Sequence, residues 1–238
     1  MASDAPNDSA RSAPSVSLRW VDPRDDVFDE GLAVLALSDA EHARLASTSD
    51  RRRFLLGRAL LRATAAELLG VEPAAVRITA ACPDCGREHG KPEATTEDGR
   101  RVHLSLSHSP VATAATASLD GAVGIDVEQL DASRFAGVED VALSAAERED
   151  WLTLPEEDRI GALAHFWTRK EAVVKALGPG LRLDPATIEV TTPGRDGDEP
   201  RVLRVPGVDA ATITLQDVGL AEGLAVSIAV VAPLAPQS

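Results

Sequence analysis

The chain of 238 residues carries 24 basic against 38 acidic side chains, a formal net charge of −14. That balance excludes non-specific attraction to nucleic acid or an anionic membrane, so any anionic ligand must be caught by a local cluster of bases. Aromatic residues make up 3% and tyrosine is absent, against 44% hydrophobic residues; a soluble protein with a core of Ala, Val and Leu is expected.

Residues 1–15, rich in Ser, Ala, Pro and Asp, read as a disordered leader without the apolar core of a signal peptide. In LSDAEHARLAS (37–47) Ser38 and Glu41 form a capping box that starts a helix. A second helix is predicted from the N-cap Asp50 to the stop at Gly70, with apolar residues at 54, 57, 61, 65 and 68. A turn-rich loop, ACPDCGREHGKPEATTEDGR (81–100), leads into an alternating strand at 102–109 and two more, over 111–119 and 122–130, around Asp120-Gly121. The second half reads alike. Ser144 and Glu147 make another capping box, a long helix runs from about 158 to 177, and strands are predicted at 186–192, 201–205, 211–215 and 224–232. Helices before strands, twice over, predict an α+β fold of two similar subdomains, 16–121 and 122–238, related as a pseudo-dimer. The most apolar stretch, 224–235, is too short to span a bilayer, so a cytoplasmic location is expected.

Three segments carry candidate chemistry. In GIDVE (124–128) Asp126 and Glu128 share one strand face, an arrangement suited to Mg²⁺ and equally to two acids on an exposed edge. In FWTRKEAVVKALG (166–178) Trp167, Glu171 and Lys175 form an i, i+4, i+8 row, read either as a surface ion pair or as a site for metal and phosphate. LSLSHS (104–109) sets Ser107 and His108 at a strand end, where a hydroxyl and an imidazole can donate to phosphate, although a satisfied structural histidine is the more frequent case. Of the 24 basic residues only Lys91, Lys170 and Lys175 are lysine, and all three fall in these segments or in HGKP (89–92). Lysine brings a compact point charge where arginine brings a flat fork. Cys82-x-x-Cys85 with His89 and His103 falls short of a four-ligand zinc pattern, so free thiols are the better reading.

Together, HGKP, LSLSHS, GIDVE and FWTRKEAVVKALG, in that order and spacing, resemble the 4′-phosphopantetheinyl transferase superfamily, in its large, Sfp-type branch. The resemblance covers roughly 35–185 and implies a pseudo-twofold pair of subdomains with the active site in the cleft between them. It implies a monomer that moves the phosphopantetheine arm of coenzyme A onto a serine of an apo acyl or peptidyl carrier protein and releases 3′,5′-ADP. Mg²⁺, or alternatively Mn²⁺, would be held by Asp126, Glu128 and Glu171. Glu171 would also be the base, directly or through a metal-bound water. The implied catalytic set adds Lys175 and His108. Coenzyme A would be held by Arg44, Arg53, Lys91, Pro92, Ser107, His108, Lys170 and Lys175. Phe54 departs from a relative that carries a hydroxyl there. The carrier is expected to dock on the segment from Phe135 to Leu154. Its pathway, whether fatty-acid, polyketide, non-ribosomal peptide or siderophore, is left open. A Mg²⁺-dependent nucleotide phosphohydrolase and a non-catalytic protein that binds coenzyme A or a carrier are the alternatives.

Overall fold

The computed structural model describes residues 15–25, 33, 37–82, 84–88, 90–96, 98–178, 183–195 and 199–233. The expected leader lies, apart from Ser15, outside the described residues.

Two α+β stretches follow one another. The first comprises β1 (Val16–Val21), α1 (Asp39–Ser47), α2 (Arg51–Leu69), β2 (Arg77–Thr79), β3 (Glu93–Thr95), β4 (Arg101–His108) and β5 (Thr113–Ser118). The second comprises β6 (Ala122–Gln129), α3 (Ala132–Phe135), α4 (Glu139–Ala142), α5 (Ala145–Thr153), α6 (Glu156–Leu177), β7 (Glu189–Val190), β8 (Val202–Arg204), β9 (Ile213–Asp217) and β10 (Leu224–Val231). The mixed α+β class is as expected. The order of helices before strands needs correction, because each stretch opens on a strand that pairs antiparallel with its own last strand. Arg19 and Trp20 sit side by side in β1, which hides the alternation of Val16 and Leu18.

The sheet orders are β1-β5-β4-β3-β2 and β6-β10-β9, with β7-β8 as a separate ribbon. In both stretches the opening strand lies beside the last, and the last beside the one before it. Local signals set the helix ends. Both capping boxes form, Asp50 caps α2 through the Arg53 N–H, and Gly70 ends α2 in the left-handed region at φ 66.

Helix α2 buries Leu60, Leu61 and Ala65 against Leu104, Ala115 and Ala117. Helix α6 buries Leu163, Phe166 and Val173 with Ala225 and Ala229 of β10. A third cluster joins the two stretches: Ala112 and Ala114 pack with Val123, Ile125 and Val127 of β6 and Val226, Ile228 and Val230 of β10. Helix α6 lies so close on β6 that a Cβ at Gly124 would stand 1.9 Å from the Ala172 carbonyl oxygen. Only glycine fits there, and that contact brings the acids of β6 to the helix bearing Glu171 and Lys175.

No backbone ladder joins β4 to β6 among the described residues. Serine hydroxyls bridge them instead: the Ile125 N–H donates to Ser105 Oγ at 3.1 Å and the Val127 N–H to Ser107 Oγ at 3.3 Å. Among the described residues no helix is long and apolar enough to cross a membrane.

Candidate active site

Asp126 is 4% exposed, on the face of β6 turned to α6. Lys175 Nζ donates to Asp126 Oδ1 at 2.6 Å, to Ser107 Oγ at 3.0 Å and to the Ile125 carbonyl at 3.1 Å. Ser107 Oγ donates in turn to Asp126 Oδ1 at 2.8 Å. The other carboxylate oxygen, Asp126 Oδ2, is buried and has no hydrogen-bond partner among the described residues. Glu128, half-buried, is held by Arg134 at 3.1 Å. Burial and the charge of Asp126 raise the Glu128 carboxyl above the ordinary glutamate value. Glu171 is raised by burial, then by Asp126 and Glu128, against a lowering pull from Lys175.

These acids fit a divalent cation. A buried carboxylate oxygen without a donor is costly, and two neighbouring acids with raised pKa values disfavour their own ionisation until positive charge arrives. Among the described residues no three ligand groups already converge as a cage, since Lys175 and Arg134 hold Asp126 and Glu128.

Beside the acids a cavity of about 360 Å³ is lined by Arg44, Arg58, Gly90, Lys91, Pro92, Ser105, Lys175 and Gly178, among others. It draws on both stretches. Lys91 reaches across it to donate to the Ala176 carbonyl at 2.6 Å, near the C-terminus of α6, and burial lowers its pKa to about 8. A neighbouring cavity of about 260 Å³ is lined by Arg44, Thr48, Asp50, Arg53, Phe54, Arg58, Leu106 and His108. Burial, then Arg53 and Lys175, lower the His108 pKa to about 4, so its imidazole is neutral at pH 7. Its Nδ1 lies 3.1 Å from Thr113 Oγ1. Arg44 and Arg58 stand over the Phe54 ring at 5.9 Å and 5.3 Å. Phe54 thus offers a surface on which two guanidinium groups rest.

Arg58 escaped the sequence reading. It lines both cavities and is 9% exposed, with Nε 3.6 Å from Glu41. A lone arginine between Leu55 and Leu61 on the buried face of α2 was the available signal.

The role of Lys170 in holding coenzyme A must be corrected. Its side chain is 0% exposed and donates to Glu147 Oε2 at 2.5 Å and to the carbonyls of Ala142 and Pro185. It ties α6 to the capping box of α5, away from both cavities. His108 lines the arginine-lined cavity, and among the described residues it has no hydrogen bond to the acids. Ser107 is spent on Asp126 and Lys175 and is absent from the linings of both cavities. In the expected docking segment Phe135 and Leu143 are core residues at 3% and 5% exposure. Replacing them would test folding, and Val141 and Leu152 are the large apolar side chains exposed there. Cys82 is buried and Cys85 exposed, and His89 lies outside the described residues.

The family model described as the 4′-phosphopantetheinyl transferase superfamily matches residues 122–229, which carry all three acids and Lys175. A 4′-phosphopantetheinyl transferase of a Nostoc species, HetI, is 32% identical over 146 residues, 59% of this chain and 58% of that protein. The chain thus spans just over half of HetI. A 4′-phosphopantetheinyl transferase of Bacillus subtilis is 27% identical over 189 residues, 74% of this chain and 78% of that protein. The transferase AcpT of Salmonella typhimurium is 30% identical over 107 residues, 44% of this chain and 54% of that protein. Over β6 to β10, and along the stretches these relatives match, the chain is similar to the 4′-phosphopantetheinyl transferase superfamily.

Proposed function

We propose that the protein transfers the 4′-phosphopantetheine arm of coenzyme A to a serine of an apo carrier protein and releases 3′,5′-ADP. The observation that carries this reading is Asp126: its Oδ2 is buried with no hydrogen-bond partner among the described residues, its Oδ1 pairs with Lys175, its charge acts on Glu128 and Glu171, and Lys175 lines a cavity with cations from both stretches. The repeated strand order supports the large, pseudo-dimeric branch, with one site per monomer between the halves; sedimentation as a dimer would count against it.

The serine hydroxyl attacks the phosphorus that bears pantetheine, and the bond from that phosphorus to the bridging oxygen of the nucleotide breaks. Glu171, whose carboxylate faces the charge of Asp126, takes the serine proton. Lys175 stands on the cleft side of Asp126, where its ammonium can meet the charge that builds on the pyrophosphate. Lys91, Arg44 and Arg58 hold the nucleotide, and Arg53 and neutral His108 line the cavity for its remaining phosphate. Mg²⁺ bound to Asp126, Glu128 and Glu171 would supply further charge neutralisation on the pyrophosphate.

Incubation with coenzyme A, Mg²⁺ and an apo carrier, followed by intact-mass measurement, tests the assignment. A gain of one phosphopantetheine on the carrier is expected. Nucleotide breakdown without carrier modification would instead indicate a hydrolase.

Lys91 makes the reaction depend on pH. Its folded pKa of about 8 lies below the ordinary lysine value of 10.5, so it carries charge below pH 8 and loses it above. Between those values the unfolded chain binds more protons, so the burial cost of Lys91 fades and stability rises with pH. Affinity runs the other way. The KM for coenzyme A is expected to climb as pH passes about 8, and Lys91→Arg, charged throughout, should flatten that climb. A wild-type profile level from pH 7 to about 10 would remove Lys91 from the binding site.

A further inference from the structure

Ser105 and Ser107 stand two apart on β4 and face β6, where Ile125 and Val127, also two apart, donate their N–H groups to the two hydroxyls. In a backbone ladder carbonyl oxygens would fill this role, and a carbonyl has no proton to give. A hydroxyl that accepts still has one to donate. Ser107 donates it to Asp126 Oδ1 at 2.8 Å while accepting from Lys175 Nζ at 3.0 Å. Ser107 is 5% exposed and Asp126 4%, so water cannot easily take over either bond. Oδ1 is therefore held twice, by Ser107 and by Lys175, and Oδ2 is left without a partner among the described residues.

We propose that Ser107 is a positioning residue for Asp126: it fixes Oδ1 so that Oδ2 stays available to a divalent cation, and it does not itself hold phosphate. This rests on reading the cleft as the site for coenzyme A and a divalent metal. The bond that joins the two halves at Val127 and the bond that orients the acid meet on one oxygen atom. Ser105 supplies the comparison, since its hydroxyl makes the same kind of bridge to β6 without touching Asp126.

The test is Mn²⁺ uptake, read from the electron paramagnetic resonance signal of free Mn²⁺ with coenzyme A saturating, together with steady-state transfer. Ser107→Ala should weaken Mn²⁺ binding about ten-fold, as loss of a bond to a metal-binding side chain typically does. The same change should lower kcat while the KM for coenzyme A stays within about two-fold. Ser107→Thr keeps the hydroxyl and should restore most of the Mn²⁺ affinity. Ser105→Ala should leave Mn²⁺ affinity within about two-fold of wild type. An unchanged Mn²⁺ affinity in Ser107→Ala overturns the proposal, as does a raised KM for coenzyme A with kcat intact, which would assign Ser107 to phosphate. Equal loss in Ser105→Ala would reduce the effect to damage at the junction and overturn it too. A wild type that binds Mn²⁺ but modifies no carrier overturns the proposed function and leaves this test standing; a wild type that binds no Mn²⁺ overturns the positioning role.

Discussion

Glu171→Gln is expected to slow phosphopantetheine transfer roughly a thousand-fold, within the range that general-base loss produces, while the fold survives. The two halves of that expectation share one cause. Burial, Asp126 and Glu128 all oppose the ionised form of Glu171, so its negative charge does not support the folded state. A neutral isostere removes repulsion together with the proton acceptor. Thermal melting should therefore shift by no more than a few degrees, or rise. Asp126→Ala should be as inactive but less stable, because it strips Lys175 and Ser107 of their shared partner. Rates of incorporation of labelled phosphopantetheine, measured beside melting curves, check both. Turnover near wild type in either variant would sink the site.

Lys170 carries the largest expected effect on stability. Its ammonium is fully buried and paired with a Glu147 carboxylate that also accepts from the N–H groups of Ser144 and Val190. Lys170→Met leaves that carboxylate buried with backbone donors only, a loss of about 3–5 kcal/mol, or roughly 10 °C in Tm for a chain of this size. Adding Glu147→Gln should return at least about 1 kcal/mol, since the unpaired charge goes with it. The KM for coenzyme A, measured well below the melting point, should stay near wild type. Urea denaturation of the two single variants and the double gives the coupling directly. Wild-type stability in Lys170→Met, with a raised KM, would put Lys170 back in the binding site.

The contrast between Lys170 and Lys175 shows where sequence reading reaches and where it stops. Both lie on α6, five residues and so about 140° apart around the helix. The row of Trp167, Glu171 and Lys175 was legible from spacing, as were both capping boxes, the stop at Gly70 and the shared face of Asp126 and Glu128. Spacing does not say which face meets the cleft and which meets Glu147, because that depends on where α5 docks, a long-range contact. Phe135 and Leu143 were misplaced for the same reason: a short apolar segment reads alike whether it covers a core or awaits a partner. Arg58 was missed because an arginine among leucines signals burial alone, and its place at the cavities shows only with Glu41 and Phe54 beside it. The acids and Lys175 were easier, since local periodicity put them on shared faces before any tertiary contact was known.

The apolar cluster formed by Ala112, Ala114, β6 and β10 belongs to neither half alone. Each half, excised, would expose the surface it lends to the other, so neither has a complete interior of its own. Heat should then melt the protein in a single calorimetric step, with Trp20 of the first half and Trp151 of the second losing their surroundings at one temperature. Under the proposed function, release of a product is for the same reason expected to move the rim, where Lys91 reaches the end of α6, rather than to part the halves.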